Sequence, residues 1–177
     1  IQHRNQLREV IGQPGNTMSK VDMFLALDGS RQGAIQGESQ VSGHVGEIEI
    51  AGWSWGMSQQ VHSSSQLASK ASVRTLSVQK AIDSSTTAIM SALKSAELLS
   101  KVVLTCRDPG GLATIDYLRI TLRKARICDY EITGSASDGR QVGESFSIAF
   151  KEIEVVYTPK SAANLKAGAC TYIDVYE

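Results

Sequence analysis

A chain of 177 residues with a 42% hydrophobic content is the size of one domain with a core of its own. Its 18 basic and 18 acidic residues cancel, so no global field draws it to nucleic acid or to an anionic membrane. No apolar run approaches the roughly 18 residues of a membrane helix, and the first residues lack the apolar centre of a secretory signal peptide.

Residues 1–17, IQHRNQLREVIGQPGNT, differ in character from the rest of the chain. Leu7, Val10 and Ile11 make a short helical stripe that the Gly12-Gln13-Pro14-Gly15-Asn16 cluster ends. So short a helix does not fold alone. The segment reads as an extension (a leader, a fused or tag-like peptide, or a translated upstream region), and residues 18–177 as the domain.

Met18 opens a strong strand pattern. From Ser19 to Asp28, Val21, Met23, Leu25 and Leu27 share one face, while Phe24 and Ala26 add apolar area to the other, so this strand is expected to be covered on both sides. Residues 29–46 form a glycine-rich polar connection carrying Glu38, Ser39 and His44, long enough to be either a functional loop or locally mobile. Then comes GEIEIAGWSWGMSQ, residues 46–59, around which the chain is organised. Ile48 and Ile50 alternate with Glu47 and Glu49, and the two tryptophans, Trp53 and Trp55, project from one face of the expected strand 47–57. Beyond Met57 a long polar run, 58–72, leaves the strand pattern. A rigid β-scaffold that gives way to such a loop often does so to touch a partner.

The block also contains Gly52-Trp53-Ser54-Trp55-Gly56, a match to the G-x-S-x-G nucleophile elbow. That motif needs a sharp strand-to-helix turn and a triad in the order Ser, acid, His. His62 is the last histidine, eight residues after Ser54. Ser54 reads as a strand serine between packed aromatics, no residue is assigned a catalytic role, and the chain is not expected to be an enzyme.

Residues 71–80 form another strand, after which the period changes. Asp83-Ser84-Ser85-Thr86-Thr87 supplies N-cap residues ahead of Ala88, Ile89, Ala92, Leu93 and Ala96, which predicts one helix at about 84–97. Further strands are expected at 100–107, 114–127, 128–135 and 144–157, with turns at Asp108-Pro109-Gly110-Gly111 and Ser137-Asp138-Gly139-Arg140. In the last long strand Phe146, Ile148 and Phe150 have one parity and Ile153, Val155 and Tyr157 the other. This predicts a bulge near Lys151 and Glu152 that bends the strand. Residues 171–176 form a short closing strand. About seven strands, hairpin turns and a single helix argue for a mainly β fold, either barrel or sandwich.

Cys106, Cys128 and Cys170 lie in or beside strands with no C-x-x-C spacing and read as three buried thiols. His3, His44 and His62 fall in polar segments without an H-x-x-x-H pair, so neither a metal site nor a cofactor is expected. Arg119, Arg123, Lys124 and Arg126 crowd one strand but fall on both its faces. Aromatics do not interleave them as in single-strand nucleic-acid binders. They read as a solvated face, or as the lining of a lumen if the chain assembles around one.

VDMFLALDG, GES and GEIEIAGWSWGMSQ, then DYLRITLRKARICDYEI and ESFSIAFKEIEVVYTP, closely resemble the haemolysin-coregulated proteins, Hcp, of type VI secretion systems. The resemblance covers residues 18 to about 177. It implies a small β-barrel of two packed antiparallel sheets with one flanking α-helix, similar to phage tail-tube proteins. It also implies a hexameric ring whose stacking builds the inner tube of the injection apparatus, with the rings secreted together with effectors. An alternative within the same fold is a ring that acts mainly as an effector carrier or chaperone, binding cargo in its lumen. The implied partners are further copies of the chain, spike and sheath proteins, and secreted effectors, with no nucleic acid and no membrane insertion. Assembly in the cytoplasm would precede export without a signal peptide. The polar run becomes the extended loop that packs on neighbouring subunits or rings, with Met57, Ser58, Gln59, Gln60, Val61, His62, Gln66 and Leu67 as candidate interface residues. Its Ser- and Gln-rich character implies weak stacking of free rings.

Overall fold

The computed structural model describes residues 22–60, 69–108, 114–135, 141–159 and 168–176. The 1–17 extension and its boundary lie outside them. Among the described residues the strands are β1 (Asp22–Gly29), β2 (Gly33–Ile35), β3 (Ile48–Glu49), β4 (Gly52–Ser54), β5 (Met57–Ser58), β6 (Ser72–Val73) and β7 (Leu76–Ala81). After the helix α1 (Thr86–Lys94) come β8 (Leu99–Asp108), β9 (Ile115–Ser135), β10 (Gln141–Ala149), β11 (Glu152–Tyr157) and β12 (Cys170–Val175). The expected mainly β chain with one flanking helix is what forms.

Ten strands make one antiparallel sheet bent into two leaves that share β9. The first leaf pairs β1 with β8, β8 with β9, β9 with β11 and β11 with β12. The second runs from the far half of β9 through β10 and β7 to β4. The expected barrel does not close. In the strand order β2 and β4 end the path, and β12 ends a branch through β11. The sheet folds over at β9 instead of returning to its own edge.

The fold-over occurs where the alternation changes hand. Leu122 is buried, Lys124 adopts φ +50°, and Ala125 and Ile127 are buried next, so the inward parity moves from even to odd. The two strands predicted at 114–127 and 128–135 are therefore one 21-residue strand. Across from it, the predicted irregularity near Lys151 and Glu152 is the break between β10 and β11. Ala149 pairs with Arg126, and Glu152 pairs with Arg123, so both strands change leaf at the same level.

Cross-strand rows build the shared core. Leu25, Leu104, Ile120 and Val155 are successive neighbours in the first leaf, as are Leu27, Val102, Leu122 and Ile153. Trp53, Val78, Phe146 and Tyr130 form the matching row of the second leaf, and both sets join one hydrophobic cluster. Burial of such rows is the main stabilising term, at roughly 25 cal/mol per Å² of apolar surface. The helix buries Thr86, Ile89 and Ala92 and packs on β9. Its start is held by Asp83 rather than by a serine cap: Oδ1 accepts from the Ser85 N–H at 2.9 Å and the Ser85 hydroxyl at 2.5 Å.

Two further expectations need correction. The organising stretch 47–57 is not one strand but three pieces, β3, β4 and β5, paired with β1, β7 and β6 respectively. Ile50 N–H still donates to the Met23 carbonyl at 3.0 Å, whereas Ala51 N–H already donates to Gln79 at 2.8 Å. The chain thus crosses from the edge of one leaf to the edge of the other at a single peptide. Of the three thiols only Cys106 is buried, while Cys128 and Cys170 are exposed. Cys128 lies beyond the end of the β8 ladder on β9, and Cys170 opens the edge strand β12.

Candidate functional site

The predicted interface residues Met57, Ser58, Gln59 and Gln60 come together on an arm that leaves the second leaf after β4. Val61, His62, Gln66 and Leu67 lie outside the described residues. The arm is not a loop from its base: β5 and β6 pair as a two-stranded ribbon, Met57 opposite Val73 and Ser58 opposite Ser72. Beyond the ribbon, Gln60 N–H donates to Ser69 Oγ at 3.1 Å, Ser69 N–H donates to the Gln60 carbonyl at 3.0 Å, and Gln59 Nε2 donates to the Ser69 carbonyl at 2.6 Å. Met57 is 44% exposed, an apolar side chain beside the polar Ser58, Gln59 and Gln60.

Arg74 and an aromatic cluster set the root of the arm. Arg74 N–H donates to the Gly56 carbonyl at 3.0 Å, and the guanidinium lies where a Cβ on Gly56 would stand. Trp55 and Tyr176 both pack on Phe150, with ring centroids 6.5 and 5.9 Å away. Concavities of about 410 Å³ beside Trp55 and about 280 Å³ beside Tyr176 both border Arg74, which lies between β6 and β7. The arm therefore springs from a packed seat of one guanidinium and three aromatic rings.

Ser54 closes the three-residue ladder of β4 on β7, opposite Ser77, and the chain beyond it enters another strand, β5, rather than the helix a nucleophile elbow needs. The outward face there carries small polar groups: Ser54, Ser77 and Ser147 are successive neighbours, and Gln79 and Ser145 form the next row. Ser77 and Ser147 hydroxyls are 3.2 Å apart.

The predicted basic strand does not act as one surface. Arg119 and Arg123 share the outer face of the first leaf, Lys124 turns to Glu152 at 2.6 Å, and Arg126 donates to the Ala96 carbonyl. Among the described residues no group of three or more His, Cys, Asp or Glu side chains is placed to hold a metal ion.

Two polar clusters lie outside the residues that the sequence singled out. Beneath the helix N-terminus the Lys80 ammonium bonds the Glu144 carboxylate, with both side chains fully buried, and reaches Asp83 Oδ1 at 2.7 Å. Thr86 and Tyr130 hydroxyls donate to the same Glu144 at 3.1 and 2.5 Å. Burial, and then the adjoining carboxylate, push the Tyr130 hydroxyl up to about 12. The second cluster joins His44, Glu47, Arg107 and Asp116 over Phe24. Burial works to raise Asp116, but the Arg107 guanidinium, donating at 2.8 Å, and then His44 hold it below the usual carboxylate range. The 29–46 connection is thus a packed segment, with Ser39 and His44 buried. Strand alternation places Lys80 and Glu144 inward, which was the available signal for the first cluster. Nothing local links His44 to Asp116, 72 residues away.

The family description "Type VI secretion system effector, Hcp" matches residues 24–157. "Protein hcp1" of Pseudomonas aeruginosa is 35% identical over 151 residues, covering 84% of this chain and 90% of that one. Among solved structures, "Structure of a type six secretion system protein" superposes with a TM-score of 0.77 at 21% identity, covering 85% of this chain and 92% of its own. "Crystal structure of Hcp1 from Salmonella typhimurium" gives 0.69 at 24% identity, with coverages of 88% and 95%. The profile match across most of the sequence, the curated relative and the two-leaved fold agree: this chain belongs to the Hcp family of type VI secretion proteins.

Proposed function

We propose that the chain is a structural component of the type VI inner tube, forming hexameric rings that stack into a conduit and leave the cell with effectors. The observation that carries this is the family match over residues 24–157, joined to a fold whose work is done by surfaces. The sheet ends in open edges, which must be paired or covered when subunits meet, and residues Met57–Gln60 of the arm are all exposed. The arm, including Val61, His62, Gln66 and Leu67, is the stacking element in this reading. Spike and sheath proteins are the further partners. Assembly takes place in the cytoplasm and export goes through the apparatus itself. No helix of the described residues is long and apolar enough to cross a membrane.

Light scattering after size-exclusion chromatography, with negative-stain images of the same peak, tests the proposal. Six times the 19.0 kDa chain mass and ring-shaped particles are the expected result. A monomer both from the full chain and from a chain begun at Met18 would overturn it. A second reading, the ring as a cargo carrier, is favoured by the outward face of Ser54, Ser77, Ser145 and Ser147, whose small side chains leave room for a passenger. There, Ser77→Trp should abolish effector co-purification while leaving the ring mass unchanged.

A further inference from the structure

The edge strand β12 pairs with β11 alone, in unbroken register over its six residues. Its sequence, CTYIDV, holds no proline and no lysine, and no bulge interrupts it, so none of the usual devices keeps this edge from a further contact. Ile153 and Val155 of β11 join the core, which puts Glu152, Glu154, Ile173 and Val175 on the opposite, outer face. Ile173 and Val175 are 67% and 64% exposed there. Val175 stands across from Glu152, which Lys124 engages, and Ile173 across from Glu154. Glu154 joins no ion pair among the described residues.

The other flank of the molecule carries the complement. β8 runs along one edge of β9 and β11 along the other, and β1 lies beyond β8, so whatever is tied to the β1–β2 turn is on the far side from β12. Helix α1 is tied there. Gln32 Nε2 donates to the Ala88 carbonyl at 3.3 Å, and Ser30 N–H donates to the Leu98 carbonyl at 2.8 Å. The helix buries Thr86, Ile89 and Ala92. Met90 and Lys94, one turn apart and so on one stripe of the helix surface, are exposed, Met90 by 45%, and Leu98 is exposed just beyond. Lys94 likewise joins no ion pair among the described residues.

We propose that the outer face of β12 docks on the α1 flank of a second copy of this chain, Ile173 and Val175 against Met90 and Leu98, with Glu154 facing Lys94. The inference rests on the ring reading above and names its seam. A second copy is the occupant because each flank supplies what the other lacks: an apolar patch with a free carboxylate on one side, an apolar patch with a free ammonium on the other. The apolar contact covers the edge, and the ion pair sets its register and orientation. Since the two surfaces differ, the contact runs head to tail, the kind that closes into a ring when the rotation between copies permits. β12 paired with the β12 of a second copy would instead stop at a dimer and leave the Lys94 flank bare.

Light scattering after size-exclusion chromatography of the full chain over a dilution series, with circular dichroism of each peak, tests the seam. Ile173→Lys should convert the six-fold mass to a monomer with an unchanged spectrum. Glu154→Lys and Lys94→Glu should each raise about tenfold the concentration at which half of the protein is in rings. The double exchange Glu154→Lys/Lys94→Glu should bring it back, because the pair is rebuilt with its signs reversed, and this exchange carries the test if Ile173→Lys does not fold. Six-fold rings from Ile173→Lys, or an exchange no better than its single changes, would overturn the seam and leave the ring reading standing. A stable wild-type dimer would overturn it in favour of β12 pairing with itself. A wild type that stays monomeric, both as the full chain and begun at Met18, would remove the ring reading and the seam together.

Discussion

The Lys124 ammonium lies 2.6 Å from the Glu152 carboxylate, across the level at which β9 and the β10–β11 pair both pass from one leaf to the other. The ion pair marks the corner but does not make it. Lys124 is 63% exposed, and exposed pairs contribute about 0–1 kcal/mol. The corner is made by backbone, since Lys124 holds φ +50°, a conformation that costs a non-glycine residue about 1 kcal/mol or more. Lys124→Gly should therefore be neutral or stabilising by up to about 1 kcal/mol, and Lys124→Val should cost about 2 kcal/mol because a branched side chain resists that region. Urea midpoints at constant m-value decide it, and equal losses in the two variants would show that the ion pair dominates.

The second prediction concerns acid stability. Glu97 accepts the N–H groups of Arg31 and Gln32 and the Gln32 amide, each at 2.8 Å, pinning the turn between β1 and β2 to the residues after the helix. The backbone N–H of Gln32 is the largest of the causes that lower its carboxyl below the usual range, with the Gln32 side chain next, while burial opposes them. A lowered folded pKa contributes stability that is present above the unfolded value and lost as pH falls through the folded one. Glu97→Gln should thus cost about 2 kcal/mol at pH 7, and its deficit against wild type should shrink below the unfolded carboxylate range, near pH 4. Parallel pH profiles for the two proteins would rule the linkage out.

The buried pair should behave as a unit. Lys80→Met or Glu144→Gln alone leaves an uncompensated group beside Asp83, Thr86 and Tyr130, and should cost about 3–5 kcal/mol. The double variant Lys80→Met/Glu144→Gln should cost clearly less than the sum of the two single changes, with a coupling of about 2 kcal/mol. A double-mutant cycle by chemical denaturation measures it. Strict additivity would mean that the ammonium and the carboxylate act independently.

Two glycines of similar apparent crowding should answer differently to alanine. A Cβ on Gly37 would stand 2.4 Å from the Glu47 carbonyl oxygen and 2.6 Å from the Ile48 Cα, whereas one on Gly56 would stand 2.3 Å from a terminal nitrogen of Arg74. Backbone cannot yield without moving β3, but a guanidinium swings aside. Gly37→Ala should destabilise by about 2–3 kcal/mol and Gly56→Ala by less than about 1 kcal/mol, with altered protection at the arm root in the latter. Thermal melts and hydrogen exchange read both.

The sequence by itself determined the strand content, the helix, the inward residues of the long strands and the bend near Lys151. All of these rest on local periodicity and on a change of parity within one segment. The family resemblance was carried by the combination of blocks along the chain, the organising stretch among them. Tertiary structure decided the features that depend on partners far along the chain. The stretch 47–57 alternates like one strand, yet it divides among three partners because the edges of two leaves meet there. The parity change at Lys124 was hidden because Leu122, Ala125 and Ile127 still read as strand residues on either side of the corner. Closure of the sheet depends on whether distant edges meet, which no local pattern encodes. The same holds for the site: the polar arm was legible as a break in alternation, but its ribbon base, the Arg74 seat on Gly56 and the pairing of His44 with Asp116 exist only once the leaves have folded over one another.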